Sequence, residues 1–228
     1  ERSGQGVLAG CRGSKIMNNT VSTHLPFSTD YYYTRIARGG TVGVAVFEGY
    51  ARNCEIRGNR VENFYTGIAV LDGYEELNVF DRADAVIADN TVRNCIHGFY
   101  HYRNSYNTAR GAMHVTLSGN VLNGAGDSVS AGGKQRETYG IRLSDRCGEY
   151  AIRSNATDGF RYGAALGRMP DYMTLDANRF SNGRYGIFLD DLSGTGETGD
   201  IHLHDSDNTF SSILIPRQGL DQACVKNY

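Results

Sequence analysis

A chain of 228 residues with 40% hydrophobic content is long enough to bury a substantial core and reads as one domain. Its formal net charge of −2 argues against polyanion or nucleic-acid binding as a bulk property, and no apolar run is long enough to cross a membrane as a helix. No signal peptide is visible, and five cysteines, odd in number and scattered through the chain, read as buried free thiols.

One pattern then returns along the chain. Its first copy is Ile16-x-x-Asn19-x-Val21, after which residues 22–42 interrupt the pattern with the run Tyr31, Tyr32 and Tyr33. Gly43-Val-Ala-Val opens a second kind of short apolar alternation, followed by Ile56, Asn59 and Val61. Gly67-Ile-Ala-Val, an insertion over 72–84, and Ile87, Asn90 and Val92 come next. Gly98-Phe-Tyr-His leads through an insertion at 103–112 to Leu117, Asn120 and Leu122. A Gly- and Ser-rich insertion over 124–139, carrying Lys134, Arg136 and Glu137, precedes Gly140-Ile-Arg-Leu and then Ile152, Asn155 and Thr157. Gly163-Ala-Ala-Leu, then Leu175, Asn178 and Phe180, then Gly186-Ile-Phe-Leu and a short insertion at 193–199 lead to Asn208 and Phe210. Only Asp205 breaks the apolar column three residues before the asparagines.

Self-similarity of this period marks a stacked repeat, whose units bury one continuous core together. No segment sustains the i, i+3, i+4, i+7 apolar spacing of a helix, so each unit is a coil of short strands. Asparagine tolerates left-handed backbone and suits a corner, and asparagines stacked at ~4.8 Å can bond in a ladder. The following glycine is expected to supply a second corner at positive φ.

The Ile-x-x-Asn-x-Val and Gly-Ile-x-Val rungs, from about Gly6 to Phe210, resemble those of the right-handed parallel β-helix proteins. That pectate-lyase-like superfamily also supplies the bodies of bacteriophage tailspikes and depolymerases. The resemblance implies an all-β, right-handed single-stranded parallel β-helix of about seven coils, roughly 30–35 Å long. A leucine-rich repeat is disfavoured, because leucine is sparse and the asparagines lie 40, 31, 30, 35, 23 and 30 residues apart. The solenoid is expected over residues 1–212, with 213–228 as a tail or cap. The early first rung suggests a fragment of a longer protein or an end covered by a partner chain.

Five residues beyond each corner glycine every position is charged: Glu48, Asp72, Arg103, Asp145, Arg168 and Asp191. The column reads either as a ladder of opposite charges or as a source of acid/base pairs. Two residues beyond the glycines, Ala45, Ala69, Tyr100, Arg142, Ala165 and Phe188 should point outward, placing a groove near Gly98 and Gly140. His101 stands in a column otherwise made of Val46, Val70, Leu143, Leu166 and Leu189, so it is either a partnered core histidine or a catalytic one.

By this resemblance the chain implies a polysaccharide-active β-helix, a glycoside hydrolase or lyase with a lateral groove, extracellular or virion-associated. Asp72, Asp145, Glu48 and His101 are the catalytic candidates. Arg103 and Arg142 are candidate clamps, and Tyr100, Tyr102, Tyr31, Tyr32 and Tyr33 candidate sugar platforms. The alternatives are a non-catalytic glycan-binding, adhesin or virion structural module, for which a homotrimer is an allowed assembly, and a uronate epimerase. No cofactor is implied, although the fold allows calcium ligated from separate coils. His202 and His204 share a strand face but complete no metal spacing, and Gly194, Gly196 and Gly199 match a dinucleotide pattern without the helix it requires. Membrane and nucleic-acid partners are not expected.

Overall fold

The computed structural model describes residues 5–9, 12–27, 41–47, 53–71, 83–102, 113–131, 133–143, 148–167, 172–189, 201–220 and 225–227. Among them there is no helix, and the strands follow one another coil by coil. The first coil holds β1 (Gln5–Ala9), β2 (Lys15–Met17) and β3 (Thr20–Ser22), and the second β4 (Val42–Phe47), β5 (Cys54–Arg57) and β6 (Arg60–Glu62). The third holds β7 (Thr66–Leu71), β8 (Ala83–Ala88) and β9 (Thr91–Cys95), and the fourth β10 (His97–Tyr102), β11 (Met113–Ser118) and β12 (Val121–Gly126). A hairpin, β13 (Ser128–Ala131) and β14 (Lys134–Glu137), then leaves the solenoid. The fifth coil is β15 (Tyr139–Leu143), β16 (Glu149–Arg153) and β17 (Ala156–Phe160), followed by β18 (Tyr162–Leu166) and β19 (Tyr172–Asp176). The long β20 (Arg179–Leu189) turns a corner into the last coil, with β21 (Ile201–Ser206), β22 (Thr209–Gln218) and β23 (Val225–Asn227).

Two sheets wrap the core. One has the order β2-β5-β8-β11-β16-β19-β21-β23. The other runs β1-β4-β7-β10-β15-β18 up to β20 and returns through β17, β12, β9 and β6 to β3. Every pairing in both is parallel, and among the described residues only the β13–β14 hairpin is antiparallel. The chain is therefore a parallel β-helix, as its rungs imply. Strand β22 runs through residue 212 and β23 pairs with β21, so solenoid pairing continues past the boundary drawn from the sequence.

The corners correct the sequence reading in a useful way. Left-handed backbone falls on the residue before each ladder asparagine, at Asn18, Gly58, Asp89, Gly119, Ser154, Ala177 and Asp207, with φ between 53° and 66°. The asparagines themselves turn inward. Each passes its backbone N–H and its Nδ2 to the Oδ1 of the asparagine one coil on, at 2.8–3.0 Å, from Asn19 to Asn208. Nδ2 also donates to the carbonyl of the apolar rung residue one coil back, as from Asn120 to Ile87 at 2.9 Å. These bonds satisfy polar groups that the corner would otherwise bury unpaired.

The rung glycines Gly67, Gly98, Gly140 and Gly163 do not have positive φ. They are needed because the coils approach too closely for a side chain. A Cβ on Gly98 would lie 2.6 Å from the carbonyl oxygen of Gly140, and one on Gly140 equally near that of Gly163.

Between the sheets, Ile16, Ile56, Ile87, Leu117, Ile152 and Leu175 form one buried column of a single continuous core. Burial pushes the Cys95 thiol up to about 12, and Cys54 is likewise a buried cysteine outside any disulfide. The hairpin packs Val129 and Ala131 against Tyr65, Ile96 and Phe27 in a separate apolar cluster. Thr138 pins its base, donating to the Gly126 carbonyl at 2.5 Å and accepting from the Arg161 N–H at 2.9 Å.

Candidate functional site on the outer face of the long sheet

The glycine-led strands place two outward columns side by side. By register the first reads Val42, Thr66, His97, Tyr139, Tyr162 and Tyr185, and the second Ala45, Ala69, Tyr100, Arg142, Ala165 and Phe188. Towards the first coils the face is apolar and closed: Val42, Ala45, Ala69 and Leu71 form their own buried cluster, with Tyr102 against it. From β10 onward it becomes aromatic and cationic.

His97 organises that change. Its Nε2 lies 3.3 Å from Arg142 Nη1, and its Nδ1 lies 3.2 Å from Thr66 Oγ1. A guanidinium can only donate, so Nε2 accepts and the ring proton sits on Nδ1, directed at Thr66. Tyr65, Tyr100 and Tyr139 meet the imidazole edge-on, with centroids 5.1, 4.8 and 5.3 Å away. The Arg142 guanidinium lies over both Tyr100 and Tyr139, at 4.9 and 4.5 Å from their centroids. Such contacts hold a cation in place on an aromatic face.

Burial first, and the Arg142 charge second, hold His97 well below the ordinary histidine pKa. In the unfolded chain it takes up a proton near pH 6.5. Below that pH the unfolded state binds more protons, so stability must fall as acid is added. Urea midpoints should drop between pH 7 and pH 5, and His97→Gln should flatten that slope. An equally steep slope in the variant would show that other groups cause it.

Beyond Arg142 the tyrosines stack. Tyr139, Tyr162 and Tyr185 lie 4.8 and 4.9 Å apart, each pair inclined by 8°. Their faces are covered by one another, so the row offers hydroxyls and ring edges rather than flat platforms. Phe188 flanks Tyr162 and Tyr185 at 5.0 and 5.3 Å. The hairpin delivers Glu137, whose carboxylate accepts from Tyr139 Oη at 3.1 Å and Tyr162 Oη at 3.4 Å and pairs with Arg161 at 3.2 Å.

Of the residues singled out from sequence, Tyr100, Tyr102 and Arg142 come together on this face. His101 lies on the opposite side of β10, fully buried, with Nδ1 2.5 Å from Tyr150 Oη across the core. That is the geometry of the partnered core histidine, and it gives His101 no opening onto the outer face. Glu48, Asp72, Asp145, Arg103 and Tyr31, Tyr32 and Tyr33 lie outside the described residues, as do Arg168 and Asp191. The sequence reading missed His97, Tyr139, Tyr162 and Tyr185, although all four stand immediately before a rung glycine.

Residues 7–199 match the family model described as periplasmic copper-binding protein (NosD). The chain belongs to the NosD family. This family is built of right-handed parallel β-helices, which agrees with the solenoid described above. The match carries the β-helix but neither the tailspike nor the pectate-lyase-like detail of the earlier resemblance. Neither the curated proteins nor the solved structures gave a match.

The NosD description raises the fit of copper, which favours converging imidazole, thiolate and thioether donors. Among the described residues no three His, Cys, Asp or Glu side chains converge. His97 faces a guanidinium and His101 a core tyrosine, while Cys54 and Cys95 lie in the core. His202 and His204 share a strand face but supply two donors, and the His202 ring stacks on Tyr172 at 4.7 Å. The described residues do not fit a copper centre.

Proposed function

We propose that this NosD-family chain acts outside the cytoplasm as a polysaccharide-binding β-helix, with the glycan lying along the outer face of β10, β15, β18 and β20. The observation that supports this reading is the Arg142 guanidinium seated over the Tyr100 and Tyr139 rings, with neutral His97 behind it. A cation pre-positioned on aromatic rings suits a ligand with polar groups on an apolar ring, because little ordering remains to be done on binding. The family description agrees with a periplasmic location.

Within this proposal, cleavage is assigned to Asp72, Asp145 or Glu48, which follow β7, β15 and β4 closely in sequence. Two carboxylates flanking a glycosidic bond are what glycoside hydrolysis requires. His101 is left to the core.

The test is a screen of the purified chain against acidic and neutral polysaccharides, following binding, new reducing ends and unsaturated products. Arg142→Ala is expected to weaken glycan binding about tenfold, since a hydrogen bond to a charged group contributes ~1.5–3 kcal/mol. Reducing ends identify a hydrolase and unsaturated ends a lyase. Retained binding without either leaves a binding module, and binding unaffected by Arg142→Ala removes this face from the site.

A further inference from the structure

The tyrosine row carries the same small constellation twice, one coil apart. In the first, Tyr139 and Tyr162 stack at 4.8 Å and the Arg161 guanidinium lies 5.8 Å from the Tyr162 centroid. In the second, Tyr162 and Tyr185 stack at 4.9 Å and the Arg184 guanidinium lies 5.5 Å from the Tyr185 centroid. Tyr162 pairs in register with Tyr185, so Arg161 and Arg184 are equivalent positions.

The first constellation holds a carboxylate, that of Glu137. Two tyrosine hydroxyls donate to it and Arg161 neutralises it, with Asp127 adding a second pairing to Arg161 at 3.6 Å. Glu137 arrives because the hairpin ends two residues before Tyr139. No hairpin stands immediately before Tyr162 or Tyr185: the residue two before Tyr162 is Phe160, buried in the core, and the one two before Tyr185 is Gly183. Among the described residues Arg184 has no ion pair, and it is exposed where Arg161 is half-buried. The second constellation thus repeats the ring stack and the arginine of the first without its internal carboxylate, and since Tyr162 gives its one O–H to Glu137, its donors are Tyr185 and Arg184.

We infer that Tyr185 and Arg184, beside the Tyr162 ring, bind the carboxylate of an acidic sugar, and that Glu137 occupies the equivalent position one coil earlier as an internal counterpart of that ligand. This rests on the polysaccharide reading above and narrows its substrate to uronate-containing glycans. Phe188 beside both rings gives the sugar an apolar edge to lie against. A charged carboxylate taking bonds from an arginine and a hydroxyl is among the stronger hydrogen-bonded arrangements available to a protein surface.

Binding of oligogalacturonate, neutral malto-oligosaccharide and polyglutamate should be measured by calorimetry for the wild type, Arg184→Ala, Arg184→Lys and Tyr185→Phe. Arg184 is exposed, so its variants should fold. Oligogalacturonate should bind the wild type, weaken about tenfold in Arg184→Ala and several-fold in Tyr185→Phe, and recover in part in Arg184→Lys. Saccharide binding that Arg184→Ala leaves unchanged overturns the carboxylate site while the polysaccharide reading stands. Polyglutamate binding that depends on Arg184, with no saccharide bound, overturns the acidic-sugar assignment and the polysaccharide reading together. No binding of any probe overturns both.

Discussion

Asn120→Leu should cost about 3–5 kcal/mol, the largest single-residue loss among the ladder positions, because it removes several buried hydrogen bonds at once. Asn120 Nδ2 donates to Ile87 O at 2.9 Å, Ser118 O at 3.2 Å and Asn155 Oδ1 at 2.9 Å. Its Oδ1 in turn accepts from the backbone and the side-chain amide of Asn90, at 3.0 and 2.9 Å. Leucine has similar bulk but no acceptor, so the Asn90 donors and the Ile87 carbonyl stay buried with a partner gone. Each such group costs roughly 1–3 kcal/mol. Asn19, at the exposed start of the ladder, should lose under about 1 kcal/mol when changed to alanine. Urea denaturation of the two variants checks the contrast, and equal losses would show that ladder position is irrelevant.

Gly98→Ala should be nearly as damaging, at about 2–4 kcal/mol, and should also impair binding. The new methyl would meet the Gly140 carbonyl at 2.6 Å and Leu122 Cβ at 3.1 Å. Neither can retreat easily, because Gly140 is itself packed 2.6 Å from the Gly163 carbonyl by the same measure. Relief must come from β10 sliding outward, which carries His97 and Tyr100 away from Arg142. Gly133→Ala is the control: its φ of 72° strains an alanine, but nothing lies within 4 Å of the added atom. That variant should lose only about 1 kcal/mol and keep its binding. A Gly98→Ala protein with wild-type stability would show that the coils can separate.

The coil count, the strand composition of each coil and the inward columns were legible in the sequence, because stacking repeats the same environment and so the same residue type. Corner chemistry was less so. Asparagine before Val61 or Val92 looks like a turn residue, yet the turn is made by Gly58 and Asp89 while Asn59 and Asn90 bond inward. Glycines 98 and 140 looked like positive-φ positions, whereas the closeness of neighbouring backbones, which no single rung reveals, is what excludes a side chain. His101 was recognised as out of place in an apolar column, but its partner Tyr150 belongs to the opposite sheet, beyond any local pattern. The Glu137 contacts depend on where a hairpin folds back, and that too is invisible in spacing.

The asparagine ladder has a direction. Each amide from Asn19 to Asn178 directs its carbonyl oxygen towards the first coil and one Nδ2 hydrogen to the Oδ1 of the next, so the side-chain dipoles of six successive rungs add along one edge of the solenoid, and their positive pole emerges at Asn208. There Asn208 Nδ2 donates at 2.7 Å to Asp205, the residue that breaks the apolar column. A carboxylate at the positive end of aligned dipoles is stabilised as it is at the start of a helix. Arg217, itself 4.7 Å from the Phe210 centroid, holds that carboxylate at 2.6 Å. The irregular seventh rung is therefore the electrostatic terminus of the array, and the sequence marks the polarity of the whole edge with one acidic residue.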